Sequence, residues 1–177
     1  MTTVINMFGG PGVGKSTLAL GVAHLLKREG HTCEYIREAA KIRAYAQAPI
    51  DAFEQFHITA EQIKMESQYY GHCEFIVSDS PLELQAFYDF HRSQSYVYLD
   101  LITQLRSVAF RDPGVARIDF MLARTGVYSG VGRYESEAEA WEVDTALEVF
   151  LEKATIETRR VDPYGINDCM ETIREVS

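Results

Sequence analysis

Apolar and polar positions along the 177-residue chain switch repeatedly between two periods. Thr3 to Phe8 (TVINMF) is a short β-favouring run that stops at glycine, which predicts a buried strand feeding a loop. Beyond the loop, from Lys15 onward, Leu18, Val22, Leu25 and Leu26 recur at helical spacing and give one apolar face, with Gly30 where a helix-terminating glycine belongs. Thr32 to Arg37 predicts a second strand and Ala39 to Ala46 a helix by composition. Asp51 to Tyr70 predicts a long helix after the interruption at Pro49. Gly71 closes that helix ahead of Phe75-Ile76-Val77, the third strand. Leu82 to Arg92 and Tyr96 to Phe110 predict further helices, Ile118 to Ala123 a fourth strand and Thr155 to Val161 a fifth. Between the last two strands lie a loop, Arg124 to Tyr134, and a helix. Its Ser136 and Glu139 form a capping box, and its Val143, Leu147, Phe150 and Leu151 form the buried side.

Short strands alternating with helices predict an α/β fold, a parallel sheet of about five strands covered on both faces. Ligands of such sheets bind at the carboxyl ends of the strands. Length, and the lack of any repeat or linker, predict one domain over residues 1–177. No apolar run reaches the length of a membrane span. The apolar start Val4 to Phe8 is too short for a signal segment, so the expectation is a cytoplasmic protein (host cytoplasm if viral) with no membrane partner. Cys33, Cys73 and Cys169 are scattered without zinc-ligand spacing, and the isolated His24, His31, His57, His72 and His91 read as structural. Of the aromatics between Phe53 and Tyr98, including Phe56, Tyr69, Tyr70, Phe87, Tyr88 and Tyr96, most read as core and some could stack on a nucleobase.

Charge narrows the partners. A formal net charge of -9 and a pI near 5.0 argue against a nonspecific nucleic-acid binder. The distribution is uneven, however. Arg106 to Arg133 holds five arginines against Asp112 and Asp119, whereas Glu135 to Glu152 holds seven acids and no base. A local cationic patch beside an acidic helix is the expectation.

The candidate chemistry starts at the first loop. Gly9-Gly10-Pro11-Gly12-Val13-Gly14-Lys15-Ser16, followed by Thr17, satisfies G-x-x-x-x-G-K-[ST] between a predicted strand and a predicted helix. Glycines let backbone N–H groups turn inward around phosphate oxygens, and the helix directs its positive end at them. Lys15 reaches the β- and γ-phosphates, and Ser16 can ligate Mg²⁺. Asp79 ends the third strand, where a phosphate-loop protein presents a carboxylate to the magnesium shell; Asp-Ser-Pro is also a good helix start, and Asp79 can serve both roles. Glu38 ends the second strand and should face the same cleft. A kinase acting on a hydroxyl benefits from such a base, and a bare ATPase does not need one. Arg124 and Arg133 flank the loop after the fourth strand, with Gly126, Gly130 and Gly132 between them. Such a lid, at about 124–134, can close and bring arginine to the transferring phosphoryl group.

Four blocks, Gly9 to Thr17, EYIREAAK around Glu38, VSDSPL around Asp79 and GRYESEAEAWEVD from Gly132 to Asp144, carry a resemblance. The chain resembles the small P-loop kinases of the nucleoside and nucleotide kinase group, most closely a viral and bacterial branch related to ribosylnicotinamide kinases. That resemblance implies a P-loop NTPase fold with strand order 2-3-1-4-5 and a lid. It implies ATP·Mg²⁺ bound by Lys15 and Ser16, cleft acids at Asp79 and Glu38, and a lid arginine at Arg133. Members of the branch include phage enzymes that phosphorylate 5-hydroxymethyl pyrimidines in DNA, and many that are described only as ATPases. No second arginine stands beside Arg133, so the lid has fewer phosphate donors than related enzymes use.

The leading expectation is therefore a kinase moving the γ-phosphate of ATP to a hydroxyl of a nucleoside- or nucleotide-type acceptor. The specific candidate is a hydroxymethylated pyrimidine in DNA. One alternative is a nucleoside monophosphate kinase holding the acceptor phosphate with Arg37, Arg43 or Arg111. Another is a nucleotide-dependent ATPase switch, although the core fold consumes nearly the whole chain.

Overall fold

In the computed structural model, residues 1–109, 115–125 and 128–176 are described. The expected helix end at Phe110, together with Arg111, Asp112 and Gly126, lies outside them. Strand β1 (Thr2–Phe8) leads through the glycine loop into α1 (Lys15–Arg28), followed by β2 (Cys33–Ile36), α2 (Lys41–Tyr45), α3 (Ala52–Ser67), β3 (Phe75–Ser78) and α4 (Leu82–Ser93). Then come α5 (Val97–Ala109), β4 (Val115–Leu122), α6 (Glu137–Lys153), β5 (Arg159–Val161) and α7 (Ile166–Val176). All strand pairs are parallel and the order is β2-β3-β1-β4-β5, the arrangement of a P-loop NTPase.

β1 sits at the centre because it can be buried on both faces. Ile5 and Met7 point into a core shared with α1 and α7 through Leu18, Val22, Leu26, Met170 and Ile173. Phe8 points the other way, into a core with Leu84 and Phe87 of α4, Ile102 of α5 and Leu147 and Phe150 of α6. Covering both faces leaves one place for polar ligands, the carboxyl edge where β1, β2 and β3 end together.

Most expected elements occur with shifted ends. Asp51 caps α3, its carboxylate accepting from the Glu54 N–H, and the capping box of Ser136 and Glu139 is formed at α6. β4 begins three residues before the expected Ile118, β5 is three residues long, and α7 has no counterpart among the sequence expectations. Cys33 and Cys169 are buried free thiols and Cys73 is half-buried. No helix among the described residues is long and apolar enough to cross a membrane.

The expected cationic patch does not form from the described arginines. Arg106 and Arg117 turn into a charged network beneath the sheet. Asn6 donates to Asp119 (2.7 Å), Arg117 donates to Asp119 (2.6 Å) and Glu83 (2.7 Å), and Arg106 donates to Glu83 (3.1 Å) and pairs with Glu66. This pairing is why charged Arg117 and Asp119 are tolerated in a central strand. Burial pushes the Glu83 carboxyl up, but Arg106 and Arg117 outweigh it and hold the group below its ordinary range.

Glu83→Gln is expected to cost about 3 kcal/mol at pH 7, because it removes the charge shared by two buried guanidinium groups. A carboxyl held low stabilises the fold above the unfolded-state value and loses that contribution as pH falls through the folded one. Urea titrations should therefore show the gap between wild type and variant at pH 7 closing as pH drops below about 4.

Candidate active site

The phosphate loop runs from the end of β1 into α1 with its backbone bent as glycine allows. Gly14 precedes the helix at φ +106°, against the ring of Pro163, and Gly12 lies at φ +75° against the ring of Tyr128. α1 starts with no side-chain cap and no acid in its first turn, so the positive end of the helix is open to the loop. Lys15 folds back under the loop, its ammonium donating to the carbonyls of Gly9 (2.7 Å) and Gly10 (2.8 Å). Burial lowers its pKa, against the opposing pull of Glu38, Asp79 and Asp144.

β3 delivers Asp79 to the base of this loop, 2% exposed. Its carboxylate accepts from the Ser16 hydroxyl and, at 2.7 Å, from the Tyr35 hydroxyl of β2. Its Oδ1 is buried without a partner among the described residues. Asp79 does not cap α4: Pro81 occupies that position without a side-chain bond. A serine hydroxyl bonded to a carboxylate with a spare oxygen fits Mg²⁺, which is held by few protein ligands plus phosphate oxygens. Among the described residues no group of three or more His, Cys, Asp or Glu side chains could hold a metal.

A cleft of about 500 Å³ opens over the loop, lined by Pro11 to Thr17 on one side and by Glu38, Lys41 and Tyr88 on another, with Arg133 roofing it. Glu38 follows β2 as expected. Burial raises its pKa, Lys15 opposes this, the neighbouring Asp79 reinforces it, and Arg133 and Lys41 oppose it further. Arg133 reaches the cleft from the lid, its Nε buried without a partner among the described residues. The C-terminal end of this loop is tied to the segment after α2: Gln47 donates to the Arg133 carbonyl (3.1 Å) and the Tyr134 hydroxyl to the Ala48 carbonyl (2.6 Å).

Arg124 stands apart from Arg133. Its side chain, 4% exposed, pairs with Asp144 of α6 (2.5 Å) and donates to the Pro11 carbonyl (2.8 Å), and it is absent from the cleft wall. Asp144 also accepts from the Gly10 N–H (2.6 Å). Of the arginines expected to hold an acceptor phosphate, Arg43 pairs with Glu54 and Glu61 and Arg37 is exposed, neither lining the cleft, and Arg111 lies outside the described residues.

Sequence reasoning assigned no site role to Lys41, Gln55, Gln85, His91 or Arg92, which line the cleft, and had Tyr88 only among aromatics that could stack on a nucleobase. Gln55 and Gln85 are buried and bonded to each other (3.3 Å), with Gln85 donating to Ser80 (2.8 Å), and both line the cleft. Tyr88 and His91 lie one turn apart on α4, and His91 stacks on Phe87. For Gln85, Tyr88 and His91 the detectable signal was their position on α4, the helix that follows Asp79 directly, since that helix must border the carboxyl edge of the sheet.

Comparison with known proteins bears on the fold and the family. None of the curated proteins matches the sequence. Among solved structures, the fold is similar to that of deoxyadenosine kinase from M. mycoides, solved with the products dCMP and a flexible dCDP. The TM-score is 0.55 over 98% of this chain and 100% of that one, at 16% identity, a likeness of fold. The AAA domain family matches residues 4–168, nearly the whole chain. With that match added to the phosphate loop and the strand order, the chain belongs to the AAA domain family.

Proposed function

We propose that the protein, acting as a single domain, is an ATP-dependent kinase whose acceptor is a hydroxyl of a nucleoside-class molecule. The observation that carries this reading is the convergence of Lys15, Glu38 and Arg133 on one cleft above the phosphate loop. A hydroxyl acceptor must lose a proton as it attacks and Glu38 stands in the cleft to take it, whereas a slow hydrolytic switch does not require a carboxylate there. The fold likeness to a deoxyadenosine kinase supports the same class.

In this reading the amides of Gly12 to Thr17 and the Lys15 ammonium hold the β- and γ-phosphates of ATP. Mg²⁺, held by Ser16 and Asp79, would supply neutralising charge on the phosphates. Glu38 accepts the acceptor's hydroxyl proton while the new O–P bond forms and the bond from the γ-phosphorus to the β–γ bridging oxygen breaks, releasing ADP. Arg133 stabilises the charge on the transferring group and the lid keeps water out. Arg124 braces the loop from behind.

The acceptor we favour is a free nucleoside, with the hydroxymethyl group of a modified pyrimidine in DNA as the narrower alternative. The arginine-rich stretch that favoured DNA is largely spent inside the molecule, on Glu83, Asp119 and Asp144. A monophosphate acceptor is the second reading, favoured by Lys41 and Arg92 on the cleft wall. Transfer of labelled γ-phosphate from ATP should be followed into nucleosides, monophosphates, and DNA with and without hydroxymethylated bases. Label in a nucleoside supports the reading. Label only in free phosphate, with every acceptor present, overturns it in favour of the switch.

Glu38→Gln is expected to lower kcat by about 10²-fold or more while ATP binding is kept, since the amide cannot take the proton. In the wild type, kcat/KM should fall on the acid side at a pH above the ordinary carboxylate value of about 4.3. The raised Glu38 must be ionised to act, with Lys15, Asp79, Arg133 and Lys41 around it. Glu38→Gln should lose that acid limb in a pH profile. Arg133→Ala should lower kcat by about 10³-fold with a small change in ATP KM, the signature of a contact made mainly in the transition state.

A further inference from the structure

We infer that Arg124 and Asp144 are positioning residues for nucleotide binding, an ion pair that sets the outer half of the phosphate loop and hides a carboxylate from the phosphates. The inference rests on the nucleotide-binding reading of the loop and adds to it two residues outside the loop sequence.

Three observations support it. The Gly10 N–H is drawn outward to Asp144 Oδ1 (2.6 Å), and the next residue's carbonyl, Pro11, is drawn outward to Arg124 Nη2 (2.8 Å). Two successive backbone groups are thus fixed from behind. The residues that line the cleft begin at Pro11, immediately past the Gly10 anchor. The pair also reaches α6 a second time, through Arg124 to the Ala140 carbonyl (3.4 Å), so the loop is referenced to a helix docked in the core by Val143 and Leu147.

Charge gives the pair a second consequence. Asp144 carries a negative charge against the back of a loop built for polyphosphate, and repulsion between them weakens binding unless that charge is cancelled. Arg124 cancels it at 2.5 Å, with both side chains largely shielded from water. Removing the arginine should therefore harm nucleotide binding more than removing the aspartate, because it both frees Pro11 and uncovers the carboxylate. Removing both should be milder than removing the arginine alone. A purely structural brace does not produce that order.

The experiment is calorimetric titration of wild type, Asp144→Asn, Arg124→Gln and the double variant with ADP, alongside their melting curves. Expected are losses of about threefold for Asp144→Asn and about thirtyfold for Arg124→Gln, with the double variant between them, and Tm changes of a few degrees. The Arg124→Gln loss should shrink with added salt, as screening replaces the missing cation. Trp141, the single tryptophan, has the Arg124 guanidinium 5.8 Å from its ring centre, so its emission should shift in both single variants without ligand. Should Arg124→Gln not fold, Arg124→Lys, which keeps the charge and loses the fork, is expected to bind ADP within threefold of wild type. Wild-type protein that does not bind ADP overturns the nucleotide reading and this inference with it. Wild type that binds, with variants that bind equally well or with losses that simply add in the double variant, overturns the pair alone. So does a fall in Tm of ten degrees or more in both single variants, which would make the pair a brace of the fold.

Discussion

Because α1 starts at Gly14 with no side chain to satisfy its first amides, every element near it is arranged around an uncapped helix end. A helix that starts this way in a protein interior is unfavourable, since its first four N–H groups lack internal partners. Here the end sits at the open edge of the sheet, where β1, β2 and β3 stop together and can present side chains to whatever the amides bind. Lys15 beneath the loop adds positive charge at the same point. Asp79 and Glu38 arrive from the two neighbouring strands, one against Ser16 and one across the cleft.

The local half of this design was legible in the sequence. A glycine-rich loop between a strand and an amphipathic helix needs only nearby residues to be recognised, and Glu38 and Asp79 are the first carboxylates after their strands. α7 was missed although Ile166, Cys169, Met170 and Ile173 carry the helical period. With Asp168 and Glu171 between them and Arg174 and Glu175 after them, this short stretch gains its helix from packing on α1. The early start of β4 was hidden because Arg117 is unfavourable in a buried strand until its partners, Asp119 on the same strand and Glu83 on α4, are known.

Arg124 shows where reading by type reaches its limit. Two arginines flank one glycine-bearing lid, and nothing local separates a residue that enters the cleft from one that turns behind the loop. The partner of Arg124 lies 20 residues downstream, in an acidic run that reads as a solvated helix face. Only docking of α6 brings Asp144 within reach of both Arg124 and Gly10. Arg133 is placed by a different long-range contact, the tie between the C-terminal end of its loop and the segment after α2.

The separation of the phosphate loop from its supports bears on the order in which the molecule can be assembled. The contacts that fix Gly10 and Pro11 span 134 and 113 residues, and the ring packed against Gly14 belongs to Pro163. The loop therefore leaves the ribosome well before the segments that brace it, and it acquires its final shape only after they arrive. Such long-range closure favours slow folding, because chain entropy is lost before the contacts that compensate it can form. A nascent chain that has emerged only as far as β4 carries the whole glycine motif without the braces that shape it.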